Sequence, residues 1–425
     1  MQRNSLLLSS IGVVWWIFTP AVALAQAPKS LGWDDCVALA LSRNPDLAAS
    51  SLALQSSRYS YYGSFNGILP SLSLTNSYND GSSSRSGSNK WEAQASASMN
   101  VFNLGDINNI RSSKASLTLA QASRRQTSAN VRSSLRSAFS QVLFAQENVI
   151  VSRNILTMRQ RGAQMLQLRY NSGQESKGNM MRSKAQALQA EVGVQQALRD
   201  LRSAQKNLAR QLGLDDFQLV VGTGTLAVST LPDSPPDRFE PFLSRRPDVA
   251  IQEATVQTAK VAVSQAWSPA LPTLTANYSR SVSDRKEFPN DSYGWSFTGL
   301  LSFPLFGGGP TATYFSVASA KKSLEKSEQD LRSIRDAAVA DLESSYASFV
   351  GSAEQVRVQE ALLTAARQRN DEADVRYSSG LMSYDNWEII ASDRINQERQ
   401  AIQTELNAAQ AEAVWNKSLG RGLGD

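Results

Sequence analysis

The 425-residue chain contains no histidine and a single cysteine, Cys36. Without histidine it cannot form a Ser-His-Asp or Cys-His catalytic arrangement, and it lacks the commonest metal ligand in proteins. A single cysteine excludes an intramolecular disulfide. The glycine-rich stretch at residues 307–310 ends in proline and lacks the lysine of a phosphate-binding loop. We therefore expect neither an enzyme nor a bound cofactor or metal ion.

The chain also lacks clusters of one charge and long apolar runs. Its formal net charge is +5, but lysine and arginine are interleaved with acidic residues, so a nucleic-acid partner is not indicated. One apolar run, Leu6 to Phe18, follows Arg3 and precedes small residues at 23–25, which predicts a secretory signal peptide over residues 1–25. An N-terminal membrane anchor is the alternative, but the run is shorter than the roughly 20 residues of a spanning helix.

Landmark residues recur in the same order in the two halves of the chain, which predicts an internal duplication. The recurring landmarks are Asn44-Pro45-Asp46 and Arg246-Pro247-Asp248, 202 residues apart, Trp91 and Trp295, 204 apart, and the Arg-Tyr-x-Ser-Gly turns at Arg169 and Arg376, 207 apart. We place repeat one at residues 26–213, a proline-rich connector at 214–240 and repeat two at 241–425.

Each repeat contains two segments in which apolar and polar residues alternate, the period of a β-strand. They predict strands at about 71–80 and 91–102 in repeat one, and at about 273–282 and 293–303 in repeat two. An edge hairpin of a soluble sheet is one explanation. Two hairpins of membrane-spanning length in an exported chain favour a water-filled barrel whose apolar face contacts lipid. The aromatic residues that we expect on the lipid face are Tyr78, Trp91, Tyr278, Trp295, Phe297 and Phe303.

Proline is absent between Ser71 and Leu231 and again after Pro310, where the sequence has helical periodicity. We predict long helices at about 106–172 and 311–378, and return helices at about 179–212 and 384–419. A helix of about 65 residues is roughly 100 Å long. Apolar residues at alternating steps of three and four predict coiled-coil packing. These seams are Val131, Leu135, Ala138, Val142, Ala145 and Val149, and then Val339, Leu342, Tyr346, Phe349, Ala353 and Val356.

Four strands cannot close a barrel by themselves, and unpaired strand edges are not tolerated in lipid. Several copies of the chain must therefore contribute, and two, three or four copies would all satisfy this requirement. The fold class predicted is mainly α-helical with a transmembrane β-barrel, built from a duplicated unit of helix, β-hairpin, long helix and return helix.

An ordered set of short motifs along the whole mature chain resembles the TolC-like outer-membrane factors, the outer membrane efflux proteins of Gram-negative bacteria. The motifs are LGWDDCVALALSRNPDL, ILPSLSL with its echo ALPTLTA, SRRPDVAIQEA, the paired YNSG and YSSG turns, and NKSLGRG. No single motif is specific, but their order is. The RRPDV form is most similar to members that serve efflux pumps of the resistance-nodulation-division type.

The resemblance implies a homotrimer with a 12-stranded barrel in the outer membrane and a 12-helix tunnel in the periplasm. It also implies a periplasmic adaptor protein and an inner-membrane transporter as partners, with outer-membrane lipid around the barrel. The expected function is a passive exit duct for drugs, metals or other small molecules. The alternatives are the channel of a type I protein secretion system and, in another class, a structural coiled-coil or periplasmic adaptor protein. The sequence does not identify the cargo.

Both Arg-Tyr-x-Ser-Gly turns are expected at the end of the tunnel away from the membrane. A glycine there suits the left-handed conformation that ends a helix, and this role alone would explain its presence. We further expect the turns to contact the adaptor. The contact residues predicted are Gly173, Ser176, Gly380, Leu381 and Ser383.

Asp385 and Glu388 are three residues apart, which predicts a shared face of the second return helix. Acidic residues in a first helical turn also simply complement the helix dipole. The alternative function is a periplasmic gate, in which the two carboxylates of each copy bond to Arg169 or Arg376 on neighbouring copies and favour cations.

Overall fold

The computed structural model describes residues 29–79, 82–83, 86–87, 90–214, 220–226, 238–285, 287–305 and 311–424. The predicted signal peptide lies outside the described residues, as does part of the predicted connector. In the part of the chain that is described, no helix combines the length and the apolar character needed to cross a membrane.

The two repeats share the order helix, two long strands, long helix and return helix, and repeat one has additional short elements. Repeat one contains β1 (Lys29–Leu31), α1 (Trp33–Arg43), α2 (Pro45–Gly63), β2 (Ser71–Asn79), the short β3 (Ser82–Ser83) and β4 (Ser86–Gly87), β5 (Lys90–Phe102), α3 (Leu104–Asn171) and α4 (Lys177–Gln211). After β6 (Val220–Gly222), repeat two contains α5 (Pro247–Trp267), β7 (Thr273–Asp284), β8 (Ser292–Ser302), α6 (Ala312–Ser378) and α7 (Tyr384–Ser418). The bounds of the four long strands, the long helices and the return helices differ from the predicted ones by at most two residues.

The four long strands form one antiparallel sheet in the order β2-β5-β7-β8. The register pairs Leu72 with Ala97 and Tyr278 with Phe297, so most apolar residues of the four strands lie on one face, whereas Leu300, which pairs with Thr275, lies on the other. The opposite face is mostly polar, and there the hydroxyl oxygens of Ser73 and Ser96 lie 2.7 Å apart. The sheet therefore separates an apolar surface from a hydrogen-bonded polar one.

Helix α3 is at the centre of the helical part. Beside the sheet it packs against α2 and α5, and towards the turns it packs against α4 and α7. All six residues of its predicted seam, from Val131 to Val149, are buried. In α6 Leu342, Phe349 and Ala353 are buried, while Val339, Tyr346 and Val356 are half-buried. This difference follows from position, because α6 lies at the edge of the chain and has fewer neighbours.

Each return helix ends against the chain break at the start of its repeat, Asn44-Pro45 in repeat one and Arg246-Pro247 in repeat two. The Asn44 side-chain amide donates to the carbonyl of Gln211 at 2.7 Å. In repeat two the guanidinium of Arg246 donates to the carbonyl of Ser418 at 3.1 Å. The two donor residues, Asn44 and Arg246, are 202 residues apart in sequence, and the two acceptor residues, Gln211 and Ser418, are 207 apart. These separations are the offsets of the sequence repeat. The duplication therefore extends to side-chain hydrogen bonds.

Candidate functional site

The two turns have nearly the same backbone geometry. Gly173 and Gly380 have φ angles of 75° and 76°, the left-handed conformation predicted from the sequence. Backbone N–H groups around each glycine close the helix end on free carbonyls. These bonds run from Gln174 to Arg169 at 2.8 Å, from Gly173 to Tyr170 at 3.0 Å, from Leu381 to Arg376 at 2.8 Å and from Gly380 to Tyr377 at 3.1 Å.

The other predicted contact residues divide into two caps and one exposed side chain. The Ser176 hydroxyl accepts from the N–H of Asn179 at 3.1 Å, and the Ser383 hydroxyl accepts from the N–H of Asn386 at 3.4 Å. Both serines therefore cap the return helices. Leu381 has no such role, and its side chain is 81% exposed.

A cluster of three residues, which we call the tip clasp, joins the hairpin of α3 and α4 to the hairpin of α6 and α7. The Arg169 guanidinium donates to the carbonyl of Tyr377 at 2.7 Å and lies 4.6 Å from the centre of its ring. The Tyr377 hydroxyl donates to the Glu175 carboxylate at 3.0 Å. Tyr377 is only 1% exposed. Arg169 and Glu175 thus hold the same tyrosine from two sides.

The charges of the tip clasp support each other. Partial burial acts to raise the pKa of Glu175, but hydrogen bonds from Asn179, Ser176 and Tyr377, together with Arg169, outweigh it and lower the pKa below the usual 4.5. Burial and the Glu175 carboxylate raise the pKa of Tyr377 to about 12. Glu175 is therefore an ionised acceptor and Tyr377 a neutral donor across the physiological range.

Aromatic packing continues from the tip clasp into α7. The rings of Tyr377 and Trp387 stack with centres 5.2 Å apart, and Tyr384 packs against both. The Trp387 indole N–H donates to Asp374 at 2.6 Å. A Cβ atom on Gly162 would lie 3.0 Å from the Trp387 ring, so α3 has room for the indole only because residue 162 is a glycine.

Glu388 does not lie on an exposed face with Asp385, as the gate hypothesis expects. Its carboxylate is buried within its own chain, where Arg159 donates to it at 2.8 Å and the Gln186 amide donates at 2.8 Å. The Asp385 side chain is 75% exposed and lies 3.8 Å from Arg182. Three helical residues turn the chain by about 300°, leaving the two side chains about 60° apart. Where the buried face of α7 meets its exposed face, this angle is enough to bury Glu388 and expose Asp385.

The two arginines of the gate hypothesis also differ. Arg169 is half-buried in the tip clasp of its own chain. The Arg376 side chain is exposed and forms no hydrogen bond or ion pair with any described residue. The structure thus brings Arg169 to Tyr377 and leaves Arg376 available at the surface.

Sequence reasoning missed Tyr377, Glu175, Trp387 and Arg159. Tyrosine follows arginine in both turns, and the pattern was explained by turn chemistry alone. A turn does not require tyrosine, and this could have pointed to Tyr377. Trp387 has Met180 as its counterpart 207 residues upstream, and both are buried, so an apolar contact was detectable.

The aromatic residues predicted to face lipid form an exposed surface on the apolar face of the sheet. Trp91 is half-buried because Tyr78 packs against it, with ring centres 5.0 Å apart. The large exposed members are Tyr78, Tyr278, Trp295, Phe297 and Phe303. An apolar surface of this extent on a soluble protein would be unusual.

The sequence profile of the family described as "Outer membrane efflux protein" matches residues 36–214 and 240–421. The pyoverdine export outer membrane protein OpmQ of Pseudomonas putida is 22% identical and is matched over 95% of this chain and 91% of its own. The MtrE outer membrane channel of Neisseria gonorrhoeae superposes with a TM-score of 0.80 at 17% identity, covering 92% of this chain and 89% of MtrE. The outer membrane protein VceC of Vibrio cholerae superposes with a TM-score of 0.79 at 16% identity, covering 91% of this chain and 96% of VceC.

Proposed function

This chain belongs to the outer membrane efflux protein family, and we propose that three copies of it close into a passive duct whose periplasmic end is held by tip clasps. It is the outer-membrane channel component of an efflux system, with its helices in the periplasm. Members of this family work with an adaptor and an inner-membrane transporter.

The two edges of the chain support a closed ring. On one edge lie β2, α2 and α4, and on the other lie β8 and α6. Because the two edges differ, contact between copies would be head-to-tail, and such contacts form a ring when the rotation from one copy to the next closes. Four strands from each of three copies give the 12 strands that the family resemblance implies.

Exposed apolar side chains on both edges support the same assembly. On α4 they include Leu188 and Val192, and on α6 they include Val358 and Leu362. These residues would be buried where α6 of one copy meets α4 of the next. Burial of such side chains is the usual source of stability in a permanent interface.

The test of assembly compares two valines with nearly equal exposure. Val358 on α6 is 52% exposed and lies at the edge, whereas Val414 on α7 is 51% exposed and lies within the chain's own bundle. We expect Val358→Lys to abolish heat-resistant trimers in detergent-extracted outer membranes, because it places a charge in the interface. Val414→Lys is expected to leave them intact. Trimers of normal stability with Val358→Lys, measured by native mass spectrometry, would contradict this arrangement.

Two kinds of joint alternate around such a ring of hairpins. Within a chain, Arg169 of the first hairpin holds Tyr377 of the second. The repeat offset of 207 makes Arg376 the counterpart of Arg169, and Tyr377 the counterpart of Tyr170. In a closed ring, Arg376 of one copy would therefore face Tyr170 of the neighbouring copy. The counterpart of Glu175 is Met382, which offers no carboxylate, so this joint is the weaker one and opens first.

Of the two acidic residues predicted at the gate, Asp385 alone is suited to line the entrance. Glu388 is engaged with Arg159, and moving it would leave a half-buried arginine without its carboxylate partner. Asp385 is exposed at the start of α7, beside the turn. Three copies of Asp385 would form a ring of negative charge.

We assign adaptor contact mainly to Leu381. Gly173 and Gly380 shape the turns, and Ser176 and Ser383 cap helices, so their contributions to docking are indirect. Leu381 is an exposed apolar side chain at the end of the molecule and makes no comparable contribution to the fold. We expect Leu381→Glu to abolish cross-linking to the adaptor and to reduce efflux, while trimers persist. Unchanged cross-linking would refute the assignment.

A small organic molecule is the cargo that we favour over a secreted protein. OpmQ, matched along nearly the whole chain, is named for the export of pyoverdine. Deletion of the gene should raise intracellular accumulation of small substrates without affecting any secreted protein. Loss of a secreted protein would instead favour type I secretion.

A further inference from the structure

Arg280 is a charged residue on the apolar face of the sheet. The register pairs it with Ala95 on β5 and with Trp295 on β8, and Leu74 lies next in the same row. Arg280 is exposed, and among the described residues its guanidinium has no hydrogen-bond or ion-pair partner. Asp284 lies on the same face but four residues further along β7, about 13 Å at ~3.3 Å per residue. The sheet itself therefore does not neutralise this charge.

The repeat shows which kind of position Arg280 occupies. Its counterpart 202 residues upstream is Tyr78, which pairs with Trp91. Trp295, the counterpart of Trp91, pairs with Arg280 in the same way. Repeat one thus has a tyrosine and a tryptophan side by side, where repeat two has an arginine and a tryptophan.

In a closed barrel with tilted strands, the two pairs would lie at the same height. In the flat sheet Trp91 stands opposite Asp284, so the second pair is displaced from the first by four residues along β7. A displacement of this kind between neighbouring repeats is what the tilt of barrel strands requires. Tyrosine and tryptophan on the outer face of a barrel mark the boundary between lipid and water. Arg280 therefore lies at that boundary, where an arginine is tolerated, and not at the middle of the bilayer.

The replacement of tyrosine by arginine leaves an open surface. Tyr78 covers Trp91, with ring centres 5.0 Å apart, whereas Trp295 remains 76% exposed. On the other side of Arg280, Ala95 is too small to cover its aliphatic part. An exposed indole beside an unpaired guanidinium offers an apolar contact and a bidentate hydrogen-bond donor together. Phosphate is the anion whose geometry matches such a donor.

We propose that Arg280 and Trp295 bind the phosphate headgroup of an anionic lipid in the outer leaflet, so that each trimer carries three such sites. The hairpin loops between β2 and β5 and between β7 and β8 are at the end of the sheet opposite the helices, and Arg280 is nearer to that end. The lipid phosphate supplies a negative charge next to Arg280, which Asp284, four residues away along β7, does not. This inference rests on the proposed assembly, because only a closed barrel presents this face to lipid.

The test uses trimers in nanodiscs of phosphatidylcholine, with or without added lipid A. For the wild type, we expect lipid A to raise the melting temperature of the trimer and to co-purify with it. Arg280→Tyr, which restores the pair found in repeat one, should assemble normally and lose the rise, with roughly tenfold weaker lipid A binding. Arg280→Lys should keep part of the rise in melting temperature. Inorganic phosphate in place of lipid A should give no rise.

Arg357→Ala is the matched control, because Arg357 is also exposed and without a partner among the described residues, but lies on α6 away from the sheet. It should respond to lipid A as the wild type does. An equal rise for Arg280→Tyr and the wild type would overturn the lipid site and leave the assembly standing. Failure of the wild type itself to enter the nanodiscs as a trimer would overturn the assembly, and the lipid site with it.

Discussion

Tyr170 and Tyr377 hold the same place in the two turns, yet their environments differ. Tyr377 is 1% exposed, whereas Tyr170 is 36% exposed. The difference arises because the partners of Tyr377, Arg169 and Glu175, belong to the preceding hairpin of the same chain. For Tyr170 the preceding hairpin in a ring belongs to another copy. The same residue can therefore be a core residue in one repeat and an interface residue in the other.

Glu175 makes the tip clasp sensitive to acid. Its pKa is lowered in the folded tip, so its contribution is complete above the usual value of 4.5 and is lost as the pH falls below it. We expect single-channel conductance in planar bilayers to stay unchanged as the pH is lowered from 7 to 4.5 and to rise only when the pH falls further. Glu175→Gln should show raised conductance already at pH 7, with a weaker dependence on acid.

Glu372→Gln controls for the loss of charge alone, because Glu372 is exposed on α6 and, among the described residues, its side chain bonds only to Gln368 of the same helix. Its conductance should follow the wild type at every pH. If the conductance of Glu175→Gln also followed the wild type at every pH, Glu175 would have no part in holding the tip. At high pH the clasp is stable, since the pKa of Tyr377 is raised, and its contribution is lost only as the pH rises from the usual 10 through about 12.

At the scale of elements, Arg376 and Tyr170 are proposed to join hairpins of neighbouring copies. A double-mutant cycle on the dissociation temperature of the trimer, with Arg376→Ala, Tyr170→Ala and both, measures their interaction. We expect a coupling of roughly 0.5–2 kcal/mol, the range of an arginine over an aromatic ring.

A double-mutant cycle with Arg357→Ala and Tyr170→Ala is the control for this coupling, since Arg357 precedes Arg376 in α6 and is far from the turn. The effects of these two substitutions on the dissociation temperature of the trimer should be additive. Additive effects for Arg376 and Tyr170 as well would place these residues in different contacts.

The bounds of the helices and strands could be predicted because they depend on neighbours in sequence. Proline-free helical periodicity, alternation in the strands and a glycine at each turn are all local signals. The contact between the end of each return helix and the start of its repeat also recurs in the two repeats. A Cβ atom on Gly213 would lie 2.2 Å from the Arg43 carbonyl oxygen, and a Cβ atom on Gly420 would lie 2.6 Å from the Arg245 carbonyl oxygen. Both glycines adopt positive φ angles, 68° and 75°.

The candidate site could be predicted only in part, because its bonds join distant segments. Glu388 and its partner Arg159 are 229 residues apart in sequence. The spacing of Glu388 from Asp385 describes one helix and carries no information about which side of it is covered by α3 and α4. Cys36 shows the same limit: it is fully buried, and burial followed by the charge of Asp35 raises its pKa to about 11, which identifies it as a core residue.

At the scale of the whole molecule, we expect three copies of one exposed carboxylate, Asp385, to determine which ions enter the duct. Asp385 is at the tip, where a closed ring narrows, and its neighbour Arg182 is 3.8 Å away and only partly offsets its charge. A ring of like charges at a constriction raises the local concentration of counter-ions. We expect a cation preference, measured as a reversal potential under a potassium chloride gradient, and a shift of that potential towards zero with Asp385→Asn.

Asp200→Asn removes the same charge from α4, where Asp200 is exposed and its side chain, within the part of the chain that is described, accepts only from Gln196 of the same helix. Its reversal potential should match that of the wild type, since this position is far from the turn. Raising the salt concentration should weaken the preference of the wild type, because the charges are solvent-exposed and screened. An Asp385→Asn channel with unchanged preference would mean that selectivity originates elsewhere along the polar face of the duct. Since Glu388 remains paired with Arg159 in either case, that result would direct attention to the barrel and away from the helical tips.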